Sequence, residues 1–302
     1  MVRRTRIVSI CLGIICTVCL LVGTGLHSNV AYASGNIYYV AETGDDANSG
    51  TLASPFRTIQ KAADKMTAGD KCYIREGVYR ETVIPANSGS PDNPITFEAY
   101  NNEKVVVSGG DTITNWTMHS GSIYKGDMDW DLGGQNIVAV DGNLSNEARW
   151  PNAGSDLHTK SVLATVDSAT NDPLNKYTIT DSELSSFPAD YWNGGLIWCL
   201  NGPEYYASAS TITDFGSSTL HFEPWARTNS WYYSKRGNKY YITRHLNALD
   251  TANEWYVDGA NQKLYIWVQG GDNPSNHVVE AKKRTYTFDL RNRSYINIKG
   301  ID

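Results

Sequence analysis

The residues Glu147–Asn152 read EARWPN, and further along Leu249–Tyr256 read LDTANEWY. Each stretch packs charged and aromatic side chains into a few positions. Arg149 offers a planar donor fork that suits carboxylates or sugar hydroxyls. Trp150 offers a flat face for stacking, and Pro151 fixes the backbone that follows. Asp250 and Glu254 bring two carboxylates beside Trp255. These five, Arg149, Trp150, Asp250, Glu254 and Trp255, form the candidate substrate-binding set. Each also has a structural reading. Arg149 could pair with an internal acid, Trp150 could fill a core, and Asp250 and Glu254 could orient a junction above a buried Trp255.

Acid–base chemistry needs two carboxylates across one bond, and acids are plentiful: Asp45, Asp46, Asp127, Asp129, Asp131 and Glu204 besides those named. Their spacing does not tell which pair shares a cleft, so catalytic residues remain unassigned. Asp45 and Asp46 lie in TGDDANSG, where Asp, Asn and Gly stabilise a turn. That loop lacks a full set of calcium-ligand spacings. The histidines His119, His158, His221, His245 and His277 are scattered without metal-ligand spacing, so no metal site is predicted. A GxSxG elbow, a glycine-rich phosphate loop and a CxxC pair are missing, which leaves acyl transfer, nucleotide binding and thiol redox chemistry unsupported.

The first residues read as a leader. Arg3, Arg4 and Arg6 precede the apolar run Ile7–Gly25, and Ala31-Tyr32-Ala33 gives a small-x-small cleavage pattern. A signal peptide over residues 1–33 is expected, with a secreted product that keeps no membrane anchor. Cleavage would take the formal net charge from −6 to −9, which argues against nucleic acid as a partner. Only Cys72 and Cys199 would remain, both in strand-like runs, so buried thiols are expected and stability must come from burial. All nine tryptophans follow the leader. Most are expected in cores and cross-strand pairs, with a minority exposed in a groove.

These side chains need a scaffold, and its text is mostly β. Ile37–Ala41 reads as a strand. Ile59, Ala62, Ala63 and Met66 give one apolar stripe of a short amphipathic helix. KCYIREGVYRETVIP, PITFEAY and EKVVVSGG follow as short strands at roughly one solenoid rung apiece. An amphipathic helix is a usual cover for the open end of such a stack. Hairpins come next, with turns at Asp141-Gly142, around Gly216 and at Asp258-Gly259. The expectation is a parallel β-helix start with its capping helix over 34–110, an inserted antiparallel β-rich domain over 111–245, and a return to the β-helix over 246–302. The final RSYINIKGID reads as a further rung whose successors are expected in a longer protein.

The stretch YYVAETGDDANSGTLASPFRTIQKAADKMTAGDKCYIREGVYRETV resembles the N-terminal cap and first coil of secreted right-handed parallel β-helix proteins of the pectate-lyase-like superfamily. VAVDGNLSNEARWPN and YYITRHLNALDTANEWYVDGANQKLYIW are similar to a carbohydrate-active subgroup with a β insertion. That subgroup includes glycoside hydrolases of xylanase and α-L-fucosidase type. The resemblance implies a mostly β, secreted, carbohydrate-active enzyme, monomeric at full length, with a polysaccharide or oligosaccharide as partner. A glycoside hydrolase would use a carboxylate pair, which in such proteins projects from later rungs. The same fold also serves polysaccharide lyases, which would call on Ca2+ or a basic residue, and non-catalytic glycan-binding proteins. No other cofactor is implied.

Overall fold

The computed structural model describes residues 35–154, 160–172, 176–224 and 229–302. The expected leader lies outside them. Among the described residues, no helix is long and apolar enough to cross a membrane.

The scaffold is a short stack of parallel coils. Strands Ile37–Val40, Lys71–Ile74, Ile95–Ala99 and Ile296–Lys299 lie side by side in one parallel sheet. The register aligns like with like. Cys72 sits against Phe97 and Phe97 against Ile298 on one side of the pleat, while Tyr39 faces Tyr73 on the other. The two tyrosine rings stack at 5.7 Å, and Tyr100 meets both edge-on. A second face pairs Gly77–Tyr79 with Val105–Val107, which bridges on to Ile301; a third holds the single bridge Val83 to Phe288. Repeating side-chain columns are what a stacked coil requires, because each rung can bury its apolar residues only against its neighbours. Both expected thiols, Cys72 and Cys199, are buried and unbridged.

The helix Ile59–Ala63 is short, but its stripe does what the spacing predicts. Ile59, Ala62, Ala63 and Met66 are all buried in the core of the coils with Phe56. The amides of Ile59 and Gln60 donate to the Glu81 carboxylate at 2.9 and 2.8 Å, satisfying two otherwise orphaned donors at the helix start. Asp46 accepts from the amides of Arg57 and Thr58 and from the Thr58 hydroxyl. Asp45 accepts from the amide of Ala47. The acidic loop thus spends its oxygens on its own backbone and the helix entry.

Between the third and fourth parallel strands the chain leaves the stack. Gly110–Thr112 pairs antiparallel with Val279–Lys282, and these strands form the neck through which it departs and returns. The predicted turns are present. Asp141 and Gly142 both take positive φ in the two-residue turn joining Val138–Val140 to Asn143–Leu144. Ser217 and Ser218 do the same between Tyr206–Gly216 and Thr219–Phe222. The strand pairing places the return to the coils later than residue 246. The hairpin Glu254–Asp258 with Lys263–Trp267 joins a five-stranded sheet through Ile123–Asp127 and Asn146–Glu147. Within that sheet it pairs antiparallel with Ile123–Asp127 and parallel with Asn146–Glu147, and the parallel coils resume only beyond Lys282. The largest sheet, of eight strands, encloses a separate core around Trp192, Tyr177 and Tyr240.

Candidate functional site

Strand alternation explains what the EARWPN stretch does. Arg149 and Trp150 form a two-residue strand paired with Thr243 and Ile242. Consecutive side chains leave opposite faces of a strand. Trp150 accordingly turns with Ile242 into the core of the eight-stranded sheet, against Phe187 at 5.6 Å and both Trp192 and Tyr240 at 6.2 Å. Arg149 turns with Thr243 towards an open cavity of about 620 Å3.

The cavity wall is aromatic and its ends are polar. Trp198 and Tyr241 lie directly opposite each other on adjacent antiparallel strands, with ring centroids 5.0 Å apart and planes 27° apart. The Arg149 guanidinium carbon sits 5.1 Å from the Tyr241 ring centroid. Trp255 closes another side and donates from Nε1 to the Ser145 carbonyl at 3.0 Å. Glu147 and Lys160 complete the charged lining. Such a surface suits a ligand with flat apolar faces and a rim of hydroxyls.

Charge at this site is held under tension. Arg149 is 7% exposed, and among the described residues its Nε and Nη2 have no hydrogen-bond partner. Beneath it Glu254 is 1% exposed with both carboxylate oxygens unpartnered. Burial pushes the Glu254 carboxyl up to about 8, and the negative charge of Asp250 adds to the shift; Arg149 opposes it. Burial likewise raises Glu147, with the Arg244 guanidinium pulling the other way. Arg244 Nε lies 3.6 Å from Glu147 Oε1, an ion pair at the cavity's edge. Among the described residues, Glu147 is the one carboxylate lining the cavity, and no cluster of three His, Cys, Asp or Glu side chains could hold a metal ion.

The five predicted residues therefore part company. Arg149 and Trp255 line the cavity, but Trp255 is 3% exposed and packs in the core with Leu264 and Ile266, as its structural reading expected. Glu254 lies buried below Arg149 and does not line the cavity. Asp250 is exposed and does not line the cavity; its influence passes through Glu254. Trp150 is core, because the face opposite Arg149 is the packed one. Sequence reasoning missed Glu147, Trp198 and Tyr241. The alternation in GLIWCLNG and KYYIT was the available signal: Cys199 and Tyr240 are buried, so their neighbours Trp198 and Tyr241 face outward.

The described chain is mostly β, a short stack of parallel coils interrupted by antiparallel sheets. Residues 38–149 match the family model for the Pel9A-like right-handed β-helix region. The chain is 49% identical over 76 residues to the uncharacterized protein YwoF of Bacillus subtilis, a match covering 25% of this chain and 16% of that protein. It is 37% identical over 73 residues to pectate lyase PEL9 of Emericella nidulans, covering 24% and 18%. Among solved structures, one titled glycoside hydrolase superposes with a TM-score of 0.66 at 19% identity, over 88% of this chain and 50% of that one. The matched segments thus span less than a fifth of the curated relatives' length, and the structural match half of its counterpart.

Proposed function

We propose that this chain is the substrate-holding part of a secreted glycoside hydrolase acting on cell-wall polysaccharide. The observation that carries the reading is the cross-strand Trp198–Tyr241 pair, fixed on adjacent strands of a rigid sheet and facing a cavity that also presents Arg149 and Glu147. The apolar face of a sugar ring packs on such rings, while Arg149 and Glu147 satisfy its hydroxyls. The likeness to a structure titled glycoside hydrolase supports the same class.

Hydrolysis takes a proton donor at the glycosidic oxygen and a second carboxylate that either activates water or attacks the sugar. Glu147, raised by burial, suits the donor, since it keeps its proton closer to neutral pH than a free carboxylate. The second carboxylate is supplied from outside the described cavity lining. A second reading, eliminative cleavage of a uronate polymer, draws on two observations. One is the identity to pectate lyase PEL9; the other is the Arg149 guanidinium, whose Nε and Nη2 lack a hydrogen-bond partner among the described residues, a fit for a uronate carboxylate.

One experiment separates the readings. The full-length protein is incubated with arabinoxylan, xyloglucan and polygalacturonate, and products are followed for new reducing ends and for the ultraviolet absorbance of an unsaturated uronate. Reducing ends without that absorbance support the hydrolase. Absorbance with polygalacturonate supports the lyase, and binding without either product overturns catalysis.

A further inference from the structure

We infer that the polysaccharide site extends beyond the cavity onto an aromatic platform formed by Tyr205 and Trp231, so that the protein holds a length of chain and not a short fragment. The inference rests on the cavity reading above.

Tyr205 is 84% exposed and Trp231 66% exposed, among the most exposed large apolar side chains described. Two turns present them, and those turns are locked together. The Gly202 amide donates to the Tyr233 carbonyl at 3.0 Å. Gly202 has φ +55°, and a Cβ there would lie 1.9 Å from the Trp231 carbonyl oxygen, so only glycine allows the approach. Below, the buried Ser234 hydroxyl donates to the Asn201 side-chain oxygen at 3.0 Å, and the Ser234 amide donates to the Asn171 side chain. The rings are thus held outward by a fixed backbone at the cost of exposed apolar area. That arrangement favours a ligand over chance.

The loop that carries Tyr205 is tied to the cavity's edge. Lys160 lines the cavity and pairs with Glu204 at 2.6 Å, and Glu204 is the residue before Tyr205. Leu200, two residues before Gly202, lines the cavity as well. A chain seated against Trp198 and Tyr241 can therefore leave past the Lys160–Glu204 pair and meet Tyr205 and Trp231. Planar rings with a polar rim match repeated sugar faces.

The test uses affinity electrophoresis in gels containing each of the three soluble polysaccharides, beside calorimetry with a short oligosaccharide cut from whichever polymer retards the protein. Trp231→Ala and Tyr205→Ala are compared with Trp198→Ala. The expected result is about tenfold weaker polymer binding for the platform variants, with oligosaccharide affinity unchanged, while Trp198→Ala weakens both. Both platform residues are exposed, so unchanged melting temperatures should confirm intact folds. Polymer binding unaltered in both platform variants would overturn the extension and leave the cavity reading standing. Loss of oligosaccharide affinity in the platform variants would also overturn it. Failure of Trp198→Ala to weaken either ligand would sink the cavity reading, and the extension with it.

Discussion

Trp198 and Tyr241 face each other on neighbouring antiparallel strands with their rings 5.0 Å apart, and Arg149 caps Tyr241 from above at 5.1 Å. The three side chains come from segments distant in sequence. They meet because Leu196–Asn201, Lys239–Thr243 and Arg149–Trp150 are consecutive strands of one sheet. Removing Trp198 should strip the wall without unfolding the sheet, since its neighbours Ile197 and Cys199 carry the core. Trp198→Ala is expected to weaken polysaccharide binding by about 1–2 kcal/mol, or roughly ten- to thirtyfold. Isothermal titration calorimetry with a near-wild-type melting curve would check it.

Glu254 gives the protein a pH-dependent stability of definite sign. Its carboxyl is raised from 4.5 to about 8 in the folded state, so the folded chain holds the proton more tightly than the unfolded one. Stability from this group is full below the unfolded value, falls as pH rises, and is lost above about 8. Glu254→Gln cannot ionise and should escape that loss. The variant's melting temperature relative to wild type should rise by several degrees between about pH 5 and about pH 8.5, on the order of 3 kcal/mol. A constant difference across that range, measured by differential scanning calorimetry, would remove Glu254 from this role.

The insertion's core has a polar anchor whose loss should be visible. Tyr240 donates its hydroxyl to Asp181 Oδ2 at 2.8 Å, and both residues are buried. Asp181 also accepts from the Glu183 amide at 2.9 Å, starting a short 3-10 turn. Tyr240→Phe keeps the ring and leaves a buried carboxylate short of one donor. The expected cost is about 1–3 kcal/mol, seen as a lower urea midpoint with an unchanged denaturant slope.

If Glu147 donates the proton, the pH profile should follow its partner. Arg244 favours the ionised form of Glu147, so Arg244→Met should raise the Glu147 carboxyl further. A donor works only while protonated, and the alkaline limb of kcat should therefore move to higher pH in that variant. Glu147→Gln should abolish turnover while leaving polysaccharide retardation in gels intact. An unmoved alkaline limb in Arg244→Met would assign proton donation to another group.

The sequence by itself determined the elements and much of the architecture. The stripe at Ile59, Ala62, Ala63 and Met66 announced a buried helix face, because spacing at 3.6 residues per turn fixes which side chains share a side. The Asp141-Gly142 turn announced its hairpin, because that turn demands positive φ. The strand spacing from Ile37 to Val107 announced stacked coils. The insertion's far boundary was less legible: the alternation of Glu254–Trp267 suits a strand in either kind of sheet. Only its pairing with Ile123–Asp127 shows which sheet it joined.

The site divided along the same line. That Arg149 and Trp150 mattered was readable from their types, but which faced solvent was not. Adjacent strand residues always point apart, and the sequence does not say which face is covered. Tertiary structure decided it by packing Trp192 and Phe187 over the Trp150 side. The same packing brought Trp198 and Tyr241 beside Arg149 and buried Glu254 beneath it. No local pattern encodes such a meeting, because it depends on the order in which distant strands pair.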